Sequence, residues 1–526
     1  MGDTQTSEPH RQSGEAIMMQ GDYSPDALGQ LLFRRQFYLG PRHLDQFPSW
    51  TRVGVGDTYC LTAHPDLGVA HATDGRKSVT LVGYMLDPAE PHAGNADVAE
   101  ALVRKLQSCR GSWVHTADFG GRWILIVHDG RDTVLFHDAA GLRSVHYARA
   151  GETGATVCAS RPSLIAETLG LERHEEAWDF VTSQDQDECD VYWMPGDTAL
   201  YARTRCLLPN HYLDLRTGEA HRYWPDADLR SLPLADAVAE SLRMLRGLVL
   251  GARHRSPLAL SMTAGWDSRL MLSLAKALGR DLYCFTLAYP GSENSRDVRV
   301  PAALLARLGL EHTVVGYPAQ INLDFKTTYQ RNVAAEGHAY CADAQALYEH
   351  YPAGRMCMTG DVAEIVKCHY RPPAGRETPA TATGLAELCG IRAHPFLLNA
   401  FETWLEGAVP RNIPLLDLFC WEQFAGRKQA LIRSQYDIVH DSFAPLNCRT
   451  LLVTMLSVSE RYRCGPDFAL LRTLVEELWR ETLSVPVNPD ERTQAKRVIR
   501  GVLDALKLYD RVPESLKELG RRVMMR

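Results

Sequence analysis

A chain of 526 residues is too long for one ordinary core, and its length predicts two or three domains. Hydrophobic residues make up 45% and charged residues 23%, with 39 Gly and 28 Pro, which excludes a disordered, collagen-like or repeat-dominated protein. With 57 Lys and Arg against 64 Asp and Glu the net charge is −7, so no basic surplus demands nucleic acid or an anionic membrane.

Residues 1–21 are polar and have no apolar h-region, so the sequence predicts a mobile tail and no signal peptide. Apolar runs such as 123–127 and 282–287 fall far short of the roughly 20 residues of a spanning helix. Thirteen cysteines lie scattered with no CxxC or CxxH pair. That spacing predicts reduced thiols in a cytoplasmic protein and no zinc site.

From residue 23 to about 224 the texture is that of strands joined by turns: SVTLVGYML at 78–86, RWILIVHDG at 122–130, DTVLFHD at 132–138 and SVHYARA at 144–150. Helices are predicted at 97–107 and 162–169, and strands with a few helices read as α+β. WPDADLRSLP is a polar, Pro-bounded connector. After it, helical periods at 234–250, 268–278 and 300–308 alternate with short apolar strands at 258–262, 282–287 and 312–315. That alternation predicts a parallel α/β sheet. From about 383 onward the chain reads as mostly helical, for example at 467–483.

The sharpest motif is LALSMTAGWDSRLMLSLAKAL, 258–278: a strand, a turn of small residues, and an amphipathic helix that follows at once. Small residues at 263–265 let the backbone approach a ligand, and the helix that begins near Ser268 adds its positive end. The loop is therefore suited to an anion, with a cation such as Mg²⁺ needed between that anion and Asp267. An ordinary strand–turn–helix with small residues for packing is the competing reading of the loop alone. With no GK[ST], it is not a Walker A loop.

Thr263–Ser268 resembles the S-G-G-x-D-S pyrophosphate loop of N-type ATP pyrophosphatases, with Thr for Ser and Ala for the first Gly. Among these the chain resembles the asparagine synthetase family. LLPNHYLDLRTGEAHRYWP (207–225) is similar to that family's interdomain linker. ADFGGRWILIVHDGRDTVLFHDAAGLRSVHYA (117–148) is similar to its "l-x-G-x-f-A-x-x-x-x-D … l-x-R-D-x-x-G-x-x-P-l-y-y" segment. MTGDVAEI (358–365) is similar to its "s-G-x-G-x-D-E" segment. Together these span about 80–370 in the family's order.

The resemblance implies the following roles. Met262, Thr263, Ala264, Gly265, Trp266, Asp267, Ser268, Leu287, Thr359 and Gly360 line an ATP site, and Asp267 and Glu364 are Mg²⁺ ligands, Glu364 standing where Asp is usual. Asp361 stands where asparagine synthetases have Glu and β-lactam synthetases a catalytic Tyr. A lysine that neutralises pyrophosphate is expected in the C-terminal region, with Lys496 the first candidate and Lys428 the second. Glu336, in EGHAY, is placed to line the acceptor pocket, with a helix cap as the alternative, and His338 and Tyr340 are candidate bases.

The family's first domain is normally a glutaminase whose nucleophile is a cysteine at position 2. Here Gly2 stands there, and Cys60, inside DTYCLTA, reads as a packed core thiol. The resemblance is thus to members without a working glutaminase: β-lactam synthetases, carbapenam synthetases and lasso peptide cyclases. The expected architecture is a tail at 1–21, an αββα Ntn-type sandwich at 22–225, and an ATP pyrophosphatase-type parallel-sheet α/β domain with a helical C-terminal part at 226–526. The expected function is an amide ligase or cyclase that adenylates a substrate carboxylate and couples it to an amine. The substrate is a small molecule or peptide carrying its own amine, ATP and Mg²⁺ are the cofactors, a homodimer is compatible, and no nucleic acid or membrane is involved. An ammonia-fed asparagine synthetase and a nucleotide-binding pseudoenzyme are the alternatives.

Overall fold

The computed structural model describes residues 21–151, 154–184, 193–333, 340–371, 380–409 and 411–489. Strict alternation along the strands decides the first half of the fold. In the strand Gly120–His128, Ile124 and Ile126 point to one core while Trp123, Leu125 and Val127 point to another. A strand buried on both faces needs a layer on each side. The strands in chain order are β1 (Phe37–Gly40), β2 (Thr51–Val55), β3 (Tyr59–Ala63), β4 (Val69–Asp74), β5 (Lys77–Leu86), β6 (Gly120–His128), β7 (Thr133–His137), β8 (His146–Arg149), β9 (Thr156–Ala159), β10 (Arg205–Cys206), β11 (His211–Asp214) and β12 (Glu219–Arg222). They form two antiparallel six-stranded sheets, ordered β10-β8-β9-β1-β3-β2 and β12-β11-β7-β6-β5-β4.

Leu39 and Leu61 of the first sheet meet Val82, Ile124, Ile126 and Leu135 of the second in the inner core. The outer face of the second sheet packs Leu81, Leu125 and Val127 on Val98 and Leu102 of the helix Asn95–Lys105. That of the first packs Tyr38, Val157 and Ala159 on Leu164 and Ile165 of the helix Pro162–Leu169. The layers therefore run helix, sheet, sheet, helix: the expected αββα sandwich.

The second half contains β13 (Leu258–Ser261), β14 (Tyr283–Ala288), β15 (Thr313–Gly316), β16 (Met356–Met358) and β17 (Ser442–Phe443). Every neighbouring pair is parallel, in the order β15-β14-β13-β16-β17. The chain runs outward from β13 in one direction, then returns to lay β16 on the other side of it. The helices Ala382–Cys389, Pro395–Gly407, Arg449–Leu456 and Ala469–Trp479, with the helical run 415–436, belong to the helical C-terminal part. Among the described residues, no helix is long and apolar enough to cross a membrane.

Three features differ from the sequence expectations. The helix Pro25–Leu31 does not join the sandwich. Its Leu28 and Leu31 pack with Ala259, Phe285 and Phe325 of the parallel-sheet half, and Asn332 Nδ2 donates to Leu31 O at 2.8 Å. β17, of two residues, lies inside the stretch read as helical and is too short to leave a periodic signal. The thiols are not all reduced: Cys368 and Cys464, 96 positions apart, form a disulfide with Cα atoms 5.4 Å apart. Only the fold brings them together, so spacing could not disclose the pair.

Buried charge joins the two halves. Arg122 on β6 forms a bidentate pair with Asp437 (2.5 and 2.8 Å) and also reaches Asp441 (3.2 Å), which Arg143 holds from the other side (3.0 Å). Burial alone would raise the Asp441 carboxyl, but Arg143 and Arg122, with Arg35 beyond them, hold it down at about 2. A carboxylate whose pKa falls on folding stabilises the native state above its ordinary value near 4. That contribution, about 2 kcal/mol, disappears as pH falls from about 4 to about 2. Asp441→Asn should therefore lower stability at pH 7 by about 3 kcal/mol, because it leaves two buried guanidinium groups short of a partner. It should also flatten the acid limb of the stability curve in that window, as read by urea unfolding at stepped pH.

Candidate functional site

The reversal of strand order between β13 and β16 makes their carboxyl ends a switch point, the position at which open parallel sheets bind ligands, since the two connections run toward opposite edges of the sheet. The loop after β13 carries residues 262–268, and the loop after β16 carries 359–364. The first runs into the helix Trp266–Leu274, with Gly265 at its N-cap and Asp267 in its first turn. The second contains Gly360, where an added Cβ would lie 2.5 Å from the Asp267 Cβ. Absence of a side chain at 360 is what lets the loops touch. Val362, fully buried, sits at φ 75°, a left-handed backbone that a β-branched residue rarely adopts.

Asp267 and Glu364 do converge, and a lysine bridges them. Lys367 Nζ donates to Asp267 Oδ1 and Oδ2 at 2.7 and 2.6 Å and to Glu364 Oε1 at 3.4 Å. The other Glu364 oxygen accepts from Gln429 Nε2 at 2.8 Å, while Gln429 Oε1 accepts from Val362 N at 3.0 Å. Gln429 ends a wide π-helical segment, Cys420–Gln429, a distortion frequent at functional sites. Burial first, and Glu364 second, push Asp267 up to about 6, against the pull of Lys367. Burial would lower Lys367, but Glu364 and Asp267 outweigh it and hold the ammonium pKa above its ordinary value. One cation thus serves two carboxylates.

These residues do not fit a divalent ion held by the pair as arranged. Mg²⁺ at about 2.0–2.1 Å from a carboxylate oxygen would sit close to the ammonium already bound there. Charges of +2 and +1 about 4 Å apart repel by roughly 8 kcal/mol at an effective dielectric near 20. Among the described residues no group of three His, Cys, Asp or Glu converges to hold a metal.

The remaining expected residues fall as follows. Thr263 is exposed, whereas Met262 is 1% exposed and belongs to the core. Ser268 Oγ donates back to Thr263 O at 2.9 Å and closes the turn. The Ala264 N–H, read as open to an anion, donates instead to Asp297 Oδ1 at 2.9 Å. Trp266 packs on Phe468, and Leu287 is half-buried at the end of β14. Thr359 Oγ1 donates to Asp361 Oδ2 at 2.7 Å, and Arg433 Nε pairs with the same oxygen at 3.1 Å. Lys428 lies over the rings of Phe424 and Trp193, 5.4 and 5.7 Å from their centroids. Tyr340 packs on Tyr436. Glu336, His338 and Lys496 lie outside the described residues. Cys60 is in β3 as expected but is half-buried rather than in the core.

Sequence reasoning missed Lys367, Gln429, Arg433 and Asp297. Lys367 had a signal: it stands three positions after Glu364, the spacing at which helical neighbours meet. The other three are brought in from distant elements and had none.

No protein-family model matches the chain, and no curated protein matches it. Solved structures similar to it include an NMN synthetase from Francisella tularensis (12% identity, 36% of this chain, 93% of that chain, TM-score 0.18). Another is a glutamine-dependent NAD⁺ synthetase from Acinetobacter baumannii in complex with ADP (16%, 42% and 45%, TM-score 0.20), of which the chain spans less than half. A third is a glutamine PRPP amidotransferase from B. subtilis complexed with ADP and GMP (11%, 71% and 89%, TM-score 0.23). At these TM-scores the likeness carries no argument about chemistry.

Gly360→Ala should lower stability by about 1–3 kcal/mol, the usual cost of overpacking, since the new Cβ meets Asp267 rather than a flexible chain end. A thermal melt unchanged from wild type would mean that the two loops are not in contact.

Proposed function

We propose that the chain is an ATP-dependent amide-forming ligase of the asparagine synthetase type. The observation that carries this reading is the meeting of the 262–268 and 359–364 loops at the carboxyl ends of β13 and β16. Ligands of open parallel sheets bind at such a reversal. Two further observations support the alignment with the family pattern quoted above. The left-handed Val362 falls where that pattern has its second glycine. The Asp of "HDAAGLR", Asp138, accepts from the Trp123, Leu142 and Arg143 amides and holds the turn that faces the second half.

In the proposed reaction a substrate carboxylate oxygen attacks the α-phosphorus of ATP. The bond from that phosphorus to the bridging oxygen breaks, and pyrophosphate leaves toward the 263–268 loop. An amine nitrogen then attacks the carbonyl of the acyl-adenylate, the bond to AMP breaks, and the nitrogen loses a proton to a base. Within the chain, Asp267 and Lys367 fix the loop's charge and Gly360 keeps the crevice narrow. Arg433, paired with Asp361, is a cation beside the second loop. A second reading, a nucleotide-binding scaffold without turnover, is favoured by one observation: Asp297 already occupies the Ala264 N–H.

Exchange of labelled pyrophosphate into ATP, tested over a panel of carboxylates, separates the two. The ligase reading expects exchange with at least one acid and a fall of about 10²–10³-fold when the cation beside the loop is removed in Lys367→Met, the scale for removing one transition-state electrostatic partner. Nucleotide binding with no exchange from any acid would support the scaffold.

The amine is proposed to come from the substrate. Releasing ammonia from glutamine needs a covalent intermediate at an activated thiol. Among the described residues, Cys158, Cys357, Cys420 and Cys448 are buried, and burial pushes their thiols up. Cys60 lies within a strand. Purified protein should therefore release no glutamate from glutamine above a buffer blank. Steady release that disappears in Cys60→Ser would overturn the assignment.

A further inference from the structure

We propose that Lys367 is the resident cation of this crevice, its ammonium taking the place of a divalent ion between Asp267 and Glu364. All four carboxylate oxygens of the pair already accept a hydrogen bond. Asp267 Oδ1, Asp267 Oδ2 and Glu364 Oε1 accept from Lys367, at 2.7, 2.6 and 3.4 Å, and Glu364 Oε2 accepts from Gln429, at 2.8 Å. The lysine side chain is 14% exposed, unlike the solvated end of an ordinary surface lysine.

Its backbone is fixed on both sides. Lys367 follows the single helical turn Ala363–Val366, and Val366 O accepts from Arg463 Nη1 at 3.5 Å. The next residue, Cys368, is tied to Cys464, and the His369 ring packs tilted on Phe424 with ring centroids 4.5 Å apart. The side chain therefore projects from an anchored segment, so ordering it on the carboxylates costs little further entropy.

The cation that Asp267 and Glu364 share is accordingly encoded in the chain and does not depend on free metal. Any divalent ion in the reaction would arrive bound to the nucleotide phosphates. The inference rests on the proposed ligase reading for its purpose, but its test needs no nucleotide. Failure of one therefore leaves the other standing.

The experiment is Mn²⁺ binding to nucleotide-free full-length protein, read by the loss of the free-ion electron paramagnetic resonance signal. Wild type should show no Mn²⁺ site that depends on Asp267. Lys367→Met should gain one such site, with an affinity at least about tenfold above wild type, and the double variant Lys367→Met/Asp267→Asn should lose it. Lys367→Arg, which keeps the charge, should bind as wild type does. A site in wild type that Asp267→Asn removes would overturn the proposal. So would a folded Lys367→Met protein that gains none. The first of these outcomes compares wild type with Asp267→Asn and needs no Lys367 variant, so it can overturn the proposal even if Lys367→Met does not fold.

Discussion

The constraint on which the site depends is the return of the chain across its own sheet. Building β13, β14 and β15 outward and then placing β16 beside β13 sends the two following loops away from each other over opposite faces. A gap at the strand ends follows from that order alone. The sequence then has to bring the loops close without closing the gap. A glycine at 360 does this, because any Cβ there would collide with Asp267. Once the loops touch, Asp267 and Glu364 share one small region, and two carboxylates in partial burial need a cation. The position of Lys367 is thus the electrostatic consequence of a topological choice.

The antiparallel sandwich supports this arrangement through β6. Its Gly120 lies close against the second half, where a Cβ would meet Leu248 at 2.6 Å, while Gly121, at φ 106°, lies against Tyr84 of β5. Asn447 Nδ2 donates to both Gly121 O and Asp138 Oδ1 at 2.8 Å. Arg122, one position further, pairs with Asp437 and Asp441. Asp441 immediately precedes β17, the outermost strand beyond β16. The sandwich therefore grips the edge of the sheet whose centre forms the site.

Much of this was legible in the sequence, and the reason is local. The helix Pro162–Leu169 has a proline in its first turn and a glycine after its end, so its bounds follow from capping chemistry alone. Strands such as β6 and β7 alternate or run apolar over enough residues to leave a period. The loop at 263–268 was legible as a turn, because small residues stand between a strand period and a helix period, but packing explains those residues as well as a ligand does. What escaped were contacts that only three dimensions create. The helix Pro25–Leu31 packs on the far half, Cys368 meets Cys464, and Gln429 reaches Glu364 from a π-helical turn. Lys367 escaped for a different reason: a lysine near a carboxylate on a short helix is usually a solvated surface pair, and nothing in the sequence says that this one is buried.

The C-terminal helices, legible as helices at 467–483 but not in what they touch, are what hold the β13 loop in place. Arg269, fully buried one turn into the helix after that loop, donates to the backbone carbonyls of Thr482 and Val485. Asn488 N donates to Ala264 O at 3.0 Å, so the returning chain lies directly on the loop backbone. Phe468 packs on Trp266, and Cys464, four residues before it, is bonded to the residue after Lys367. One helical unit, Ala469–Trp479 with its flanks, therefore touches the first loop by hydrogen bonds and ring packing and is bonded covalently to the segment that follows the second. The loops are fixed relative to each other by this unit as well as by the sheet. That makes the spacing of Asp267 and Lys367 a property of packing that spans most of the second half, rather than of either loop alone.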